Sequence, residues 1–306
     1  MLRQKGHTAC LRCHVKGNQV GAVAMVLPPK SILCMPCHAA TFAVGDFITI
    51  TALIVFLAGI VFLFAYVLSG SLPGAERSGP LAKLFAAAWN SIKAVCSPRI
   101  FPMIKVVVLE GLLQRRLFRQ SRSRWLIHGL IFWPFVLRFS WGLVALLGST
   151  WMPERTFPWP MLDKNDPATA LLFDLSGMMV IIGLLLAFIR GRVSQASRLP
   201  GQPRQDRLAL GLIAAIVVIG FVLEGMRIAM TGRPAGSTYA VVGYGISTLF
   251  SNPKELTDIY GFIWYIHALL TGVFVAYLPF SRLLHAILAP IVLAMNEAAR
   301  HPRDRT

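Results

Sequence analysis

Charge is what this 306-residue sequence has least of: Asp, Glu, Lys and Arg together make up 14% of it, where soluble domains carry about a quarter. With 56% hydrophobic residues, that scarcity excludes an ordinary soluble domain and points to a lipid bilayer. Acids are scarcer still, 13 Asp and Glu against 30 Lys and Arg. Such a balance suits nucleic acid only where the cations form a solvated basic surface. Here they lie between apolar runs, as in the loops of a membrane protein, so nucleic acid is not an expected partner. Internal repeats and low-complexity tracts are missing. A cleavable signal peptide is not expected either, which would leave the first apolar span to translocate its own N-terminal tail. Cysteine is also sparse, five in all, yet four of the five are tightly patterned.

Five segments are apolar enough and long enough to cross about 30 Å of hydrocarbon at about 1.5 Å per residue. They run Phe47 to Leu68, Trp125 to Leu147, Thr169 to Ile189, Leu208 to Met226 and Tyr260 to Leu284. The pattern predicts an all-α membrane protein, a five-helix transmembrane bundle over residues 47–306 behind a small irregular segment, residues 1–46. Between the first two spans, LAKLFAAAWNSIKAV and MIKVVVLEGLLQRRLF read as amphipathic helices at the membrane face, at about 80–120. Ten cations, Arg77 to Arg124, separate spans one and two, and five, Arg190 to Arg207, separate spans three and four. STWMPERTFPWPMLDKNDPA, between spans two and three, holds two cations and three acids. Cation-rich loops stay in the cytoplasm. The N-terminus is therefore expected in the periplasm and the C-terminus in the cytoplasm, across a bacterial inner membrane.

The patterned cysteines form CLRCH and CMPCH: Cys10, Cys13 and His14, then Cys34, Cys37 and His38. Cys-x-x-Cys-His is the attachment signature of c-type haem. Two thiols add across the porphyrin vinyl groups, and the adjacent His becomes an axial ligand of the iron. Zinc competes, because two Cys-x-x-Cys pairs with 20 residues between them fall at the edge of zinc-ribbon spacing. Compartment separates the readings: covalent haem attachment occurs outside the cytoplasm, the side on which the cations put this tail. Two haem c groups are expected. Some forty residues are too few to bury two macrocycles, so the haems should lean on the membrane bundle. Their sixth ligands would be His7, Met25, Met35 or a transmembrane residue. Cys96 has no partner and is assigned no role.

His128, His267 and His285 lie within or border the spans, where ionisable groups are costly enough to suggest function. On a continuous last helix the step of 18 residues from His267 to His285 is five turns, putting both rings on one face about 27 Å apart. His267 then sits towards the outer end and His285 at the cytoplasmic end, level with His128. Imidazoles from facing antiparallel helices can clamp one haem iron, so His128 and His285 are the expected haem b pair.

WYIHALLTGVFVAYLPFSRLLHAILAP resembles the last transmembrane helix of the gamma, or cytochrome b, subunit of respiratory nitrate reductase, and RSRWLIHGLIFWPF resembles that family's second helix. The wider superfamily includes the cytochrome b subunits of membrane-bound heterodisulfide reductases and of sulfite-reduction-linked quinone complexes. The resemblance covers about residues 47–295 and is specific in spans two and five. It implies an anchor that oxidises a quinol (menaquinone or ubiquinone), carries two b haems and feeds an iron–sulfur or catalytic subunit. Two features depart from that pattern. Where the family has a second His in helix two, this chain has Arg138, and the family subunit lacks the di-haem tail. One or two haem b groups follow. Either a tail haem takes His267 as sixth ligand while Arg138 pairs with a propionate, or His267 binds a b haem opposite a non-His ligand or none.

A quinone site is expected near the outer haem. FVLEGMRIAM puts Glu224 and Arg227 three apart on one helical face, as a proton acceptor held by a cation or as a plain interfacial ion pair. Asp174 reads as a helix-start carboxylate. The expected function is electron transfer between the quinone pool, a periplasmic redox protein and a partner subunit. The alternatives are a quinone-independent transmembrane conduit, a zinc-binding membrane scaffold and a haem sensor, which would need an output domain beyond the few residues after His301.

Overall fold

The computed structural model of the protein describes residues 10, 13–18, 20, 22–39, 43, 45–69, 79–193 and 206–299. His7 lies outside them. Among the described residues there is no strand, and five helices are long and apolar enough to cross a membrane, so the protein is an all-α, multi-pass membrane protein. In chain order the helices are α1 Phe47–Ser69, α2 Pro80–Val95, α3 Ile100–Val106, α4 Arg115–Gln120, α5 Arg122–Trp151, α6 Pro158–Leu162, α7 Pro167–Val193, α8 Arg207–Met230, α9 Val241–Thr248, α10 Pro253–Tyr277 and α11 His285–Ala299. Ile54, Val61, Phe62, Leu185 and Phe188 are exposed, as apolar residues are where lipid covers the helix.

Two compact units divide the chain: Met1–Leu53 with Ile127–Val275, and Ile54–Leu126 with Ala276–Thr306. In the first, small residues let helices close on one another. A Cβ at Gly183 of α7 would fall 2.8 Å from Ile131 of α5, and one at Gly272 of α10 would fall 2.9 Å from Ile48 of α1. The short helix α9, which no apolar run announces, packs on α8 through Ala240 and Tyr244 against Ile228. Both its ends are satisfied from elsewhere in the unit. Asp174 of α7 accepts from the Val242 and Gly243 amides at 3.0 and 3.1 Å, and Arg233 donates to the Ser247 carbonyl at 2.8 Å. Asp174 is thus not the start of its own helix but the N-terminal cap of another.

The second unit holds the amphipathic segment. On α2, Leu81, Phe85, Trp89 and Ile92 form an exposed apolar stripe, the pattern of a helix lying in a membrane surface. MIKVVVLEGLLQRRLF is not one helix. After α3 comes a π turn, Val107–Leu112, and then Gln114 in the left-handed region at φ 55°. Glu110 accepts from the Arg116 amide at 3.0 Å and so caps α4.

The last predicted span is also broken. α10 ends at Tyr277, two 3₁₀ turns follow over Leu278–Phe280 and Arg282–Leu284, and His285 begins α11. Pro279 cannot donate its backbone nitrogen to a continuing helix. Ser281 is extended (φ −100°, ψ 162°) and accepts from the Leu283 amide at 3.1 Å, an N-cap that restarts the chain. The five-turn register between His267 and His285, with both rings on one face of one helix, is therefore lost.

Candidate functional site

Each Cys-x-x-Cys-His motif folds as one helical turn. The Cys13 and His14 amides donate to the Cys10 carbonyl at 3.2 and 3.0 Å, and the Cys37 and His38 amides donate to the Cys34 carbonyl at 3.1 and 2.9 Å. In the first motif both thiols are exposed and His14 Nδ1 donates to the Val23 carbonyl at 2.7 Å. A carbonyl only accepts, so Nδ1 carries the proton and the lone pair is on Nε2.

The second motif is docked on the membrane helices of its unit. The Ala24 amide donates to the Thr257 carbonyl of α10 at 2.9 Å, and Met25 packs on Gly261. Met35, 4% exposed, packs on Leu146 of α5 with Cys34 and Leu143 beside it. Both methionines offered as axial ligands are thus engaged in packing. A Cβ on Gly142 of α5 would lie 3.0 Å from the His38 carbonyl oxygen, so the bare glycine lets the tail backbone approach the helix.

This docking closes a cavity of about 280 Å³ whose lining includes Cys34, Cys37, His38, Arg138, Glu224 and His267. The His38 and His267 ring centroids are 6.1 Å apart with their planes at 62°. Nδ1 of each ring is buried without a hydrogen-bond partner. Burial pushes the Cys37 thiol up to about 11. The His38 imidazolium is held well below its ordinary range by burial first and by the surrounding cations second. Burial likewise lowers Lys30, with Arg227 adding to the effect.

Four cations, Lys30, Arg138, Lys164 and Arg227, line the same cavity. Arg138 is anchored by Nε donating to Ser176 Oγ at 2.6 Å and by Nη2 donating to the Phe173 carbonyl. Arg227 Nη1 donates to Asn165 Oδ1 at 2.7 Å. Its Nη2 stands 3.9 Å from Glu224 Oε1, and its Nε and Nη2 are buried with no hydrogen bond. This is a loose pair with donor capacity to spare.

Seven residues singled out in the sequence therefore meet in one place: Cys34, Cys37, His38, Arg138, Glu224, Arg227 and His267. Cys10, Cys13 and His14 are not among its lining. His128, on α5, lies in the first unit with its ring 5.6 Å from that of Phe132. His285 lies in the second, exposed, with Nδ1 donating to the Arg282 carbonyl at 2.6 Å. Sequence reasoning missed Lys30, Lys164 and Tyr260 in the lining. Lys30 had one signal, a cation interrupting the apolar run VLPPKSIL. Among the described residues, no three His, Cys, Asp or Glu side chains are gathered to hold a bare metal ion.

The chain is similar to a subunit of the dihydromethanophenazine:CoB–CoM heterodisulfide reductase of Methanosarcina mazei, 23% identical over 233 residues that cover 74% of this chain and 80% of the relative. The same subunit from Methanosarcina barkeri is 23% identical over 262 residues, 80% of this chain and 88% of that one. The EtfAB:quinone oxidoreductase of Syntrophomonas wolfei subsp. wolfei is 24% identical over 185 residues, 56% of this chain but 25% of that protein. No solved structure matches. The nitrate reductase gamma subunit model matches residues 139–299, beginning one residue past Arg138 and taking in His267 and His285. With over half its length matched, the chain belongs to the nitrate reductase gamma subunit family.

Proposed function

We propose that the chain is the haem-bearing membrane subunit of a respiratory oxidoreductase complex, passing electrons between the quinone pool, periplasmic c haems and an iron–sulfur or catalytic partner. In this reading residues 1–46 form a periplasmic di-haem c segment and residues 47–306 a cytochrome b domain of the inner membrane. Haem, when bound, supplies one-electron chemistry at its iron. Cys10 with Cys13 and Cys34 with Cys37 would hold two haems covalently, with His14 and His38 as axial ligands. His128 and His285 would hold a b haem. The family binds haem b and quinone, which supports both cofactors.

The residues fit these groups. The tautomer of His14 leaves Nε2 as the basic nitrogen, as a metal-bound imidazole requires. The Cys34 and Cys37 pair opens on a cavity large enough to admit a ligand. The observation that carries the reading is that the second motif shares this cavity with Glu224 and Arg227. An electron acceptor and a proton acceptor would stand side by side, which is what quinol oxidation needs. A quinol gives up two protons with its two electrons. The Glu224 carboxylate is positioned to take a proton, while the unbonded Nη2 and Nε of Arg227 are donors for a quinone oxygen.

A direct test adds a quinol to the oxidised purified protein and follows the haem bands, with dithionite as the quinone-independent control. Reduction by quinol is expected. Reduction by dithionite alone would favour the quinone-independent conduit. A colourless, zinc-loaded protein would favour the scaffold.

A further inference from the structure

Of the histidines that line the cavity, His267 is the one carried by a transmembrane helix, α10. We infer that His38 and His267 are the two axial ligands of one covalently attached haem, so that a c-type haem held by Cys34 and Cys37 stands where a second b haem would otherwise sit among the helices. The inference rests on the reading of Cys34–His38 as a haem c motif and extends it to the transmembrane ligand.

Four observations carry it. First, two imidazoles on opposite sides of one metal, each with a metal–nitrogen bond of about 2.0 Å, have their centres about 6 Å apart. The His38 and His267 rings are 6.1 Å apart. Second, both rings line the same cavity as the two thiols. Third, the two methionines among the candidate sixth ligands are engaged elsewhere, Met35 against Leu146 and Met25 against Gly261. Fourth, the wall beside the histidines carries Lys30, Arg138 and Lys164. Their number suits a dianionic ligand such as the two propionates of a haem. Arg138 is fixed there by Ser176 and Phe173, so the residue that departs from the family's histidine faces the carboxylates instead of the iron.

The backbone makes this approach possible at one glycine. Gly142 admits the His38 carbonyl, which would be 3.0 Å from a Cβ.

The test compares the full-length protein with His267→Ala and Gly142→Val by haem-stained denaturing gel, pyridine haemochrome and low-spin to high-spin optical or EPR signals. In His267→Ala both c haems should stay attached and the b haem should stay bound. Half of the low-spin c signal should become high-spin and CO-reactive, and added imidazole should restore it. Gly142→Val, which drives the tail backbone from α5 without removing a ligand, should produce the same half-conversion. Loss of a b haem with both c haems still low-spin would assign His267 to haem b and overturn the inference while leaving the proposed function standing. An unchanged spectrum in both variants would overturn it too. Should His267→Ala fail to fold, Gly142→Val and the wild-type ratio decide, since two c haems with two b haems is incompatible with this ligation. Absence of any covalent haem in the wild type would remove the underlying reading itself.

Discussion

Asp174 is wholly buried and its two oxygens accept from the Val242 and Gly243 amides at 3.0 and 3.1 Å. Those amides open α9, whose own flanking residue, Ala240, has no side chain able to cap it. Replacing Asp174 with Ala leaves two buried donors unpaired, at about 1–3 kcal/mol each. The expected loss is about 2–6 kcal/mol. Asp174→Asn keeps the shape and one acceptor but turns an amide group towards the other donor, and the loss of a hydrogen bond to a charged group costs about 1.5–3 kcal/mol. For a unit of this size, each kcal/mol lowers the melting midpoint by about 2–4 °C. Thermal melts of the detergent-solubilised protein should therefore rank wild type above Asn and Asn above Ala, with Ala lower by at least about 4 °C. The consequence reaches the cavity, because Gly243 abuts Glu224: a Cβ there would come within 2.7 Å of Glu224 Cγ. Quinol-driven reduction should fall along with stability. If Asp174→Ala melts within about 1 °C of wild type, the carboxylate is not the cap of α9. If Asp174→Asn melts with wild type, the carboxylate charge contributes nothing.

Further predictions concern the cofactors. On a denaturing gel stained for haem peroxidase, the signal should vanish only when cysteines of both motifs are changed, with Cys10→Ala or Cys34→Ala alone leaving about half. His285→Ala and His128→Ala should each abolish one low-spin b signal and spare the covalent haems. An unchanged b spectrum would refute that pairing. Each variant should also lower the melting temperature, since a ligand bound only by the folded state stabilises it. Glu224→Gln should slow quinol-driven haem reduction by about 10²-fold or more, the typical worth of a positioned proton acceptor, without affecting reduction by dithionite. Equal losses with both reductants would indicate structural damage.

Hydropathy makes the membrane helices legible because lipid selects for composition over a whole span. The predicted run Phe47 to Leu68 is α1, and Leu208 to Met226 lies inside α8. Composition is blind to hydrogen bonding, so Pro279 passed as one more apolar residue of a long span although it ends α10. α9 stayed hidden for a different reason. It is eight residues long, and its caps, Asp174 and Arg233, come from other elements. The haem motifs were legible because covalent attachment and axial ligation are local chemistry, written within five residues. The cavity was only partly so. Lys30 and Lys164 each looked like a loop cation, and only the docking of the tail on α5 and α10 brings them beside His38 and His267.

The measurement closest to the central claim is the haem content of the purified full-length protein by pyridine haemochrome, with c and b resolved and normalised to protein. Two haem c groups and one haem b per chain are predicted. Haem b without haem c, or zinc in place of both, would contradict the account.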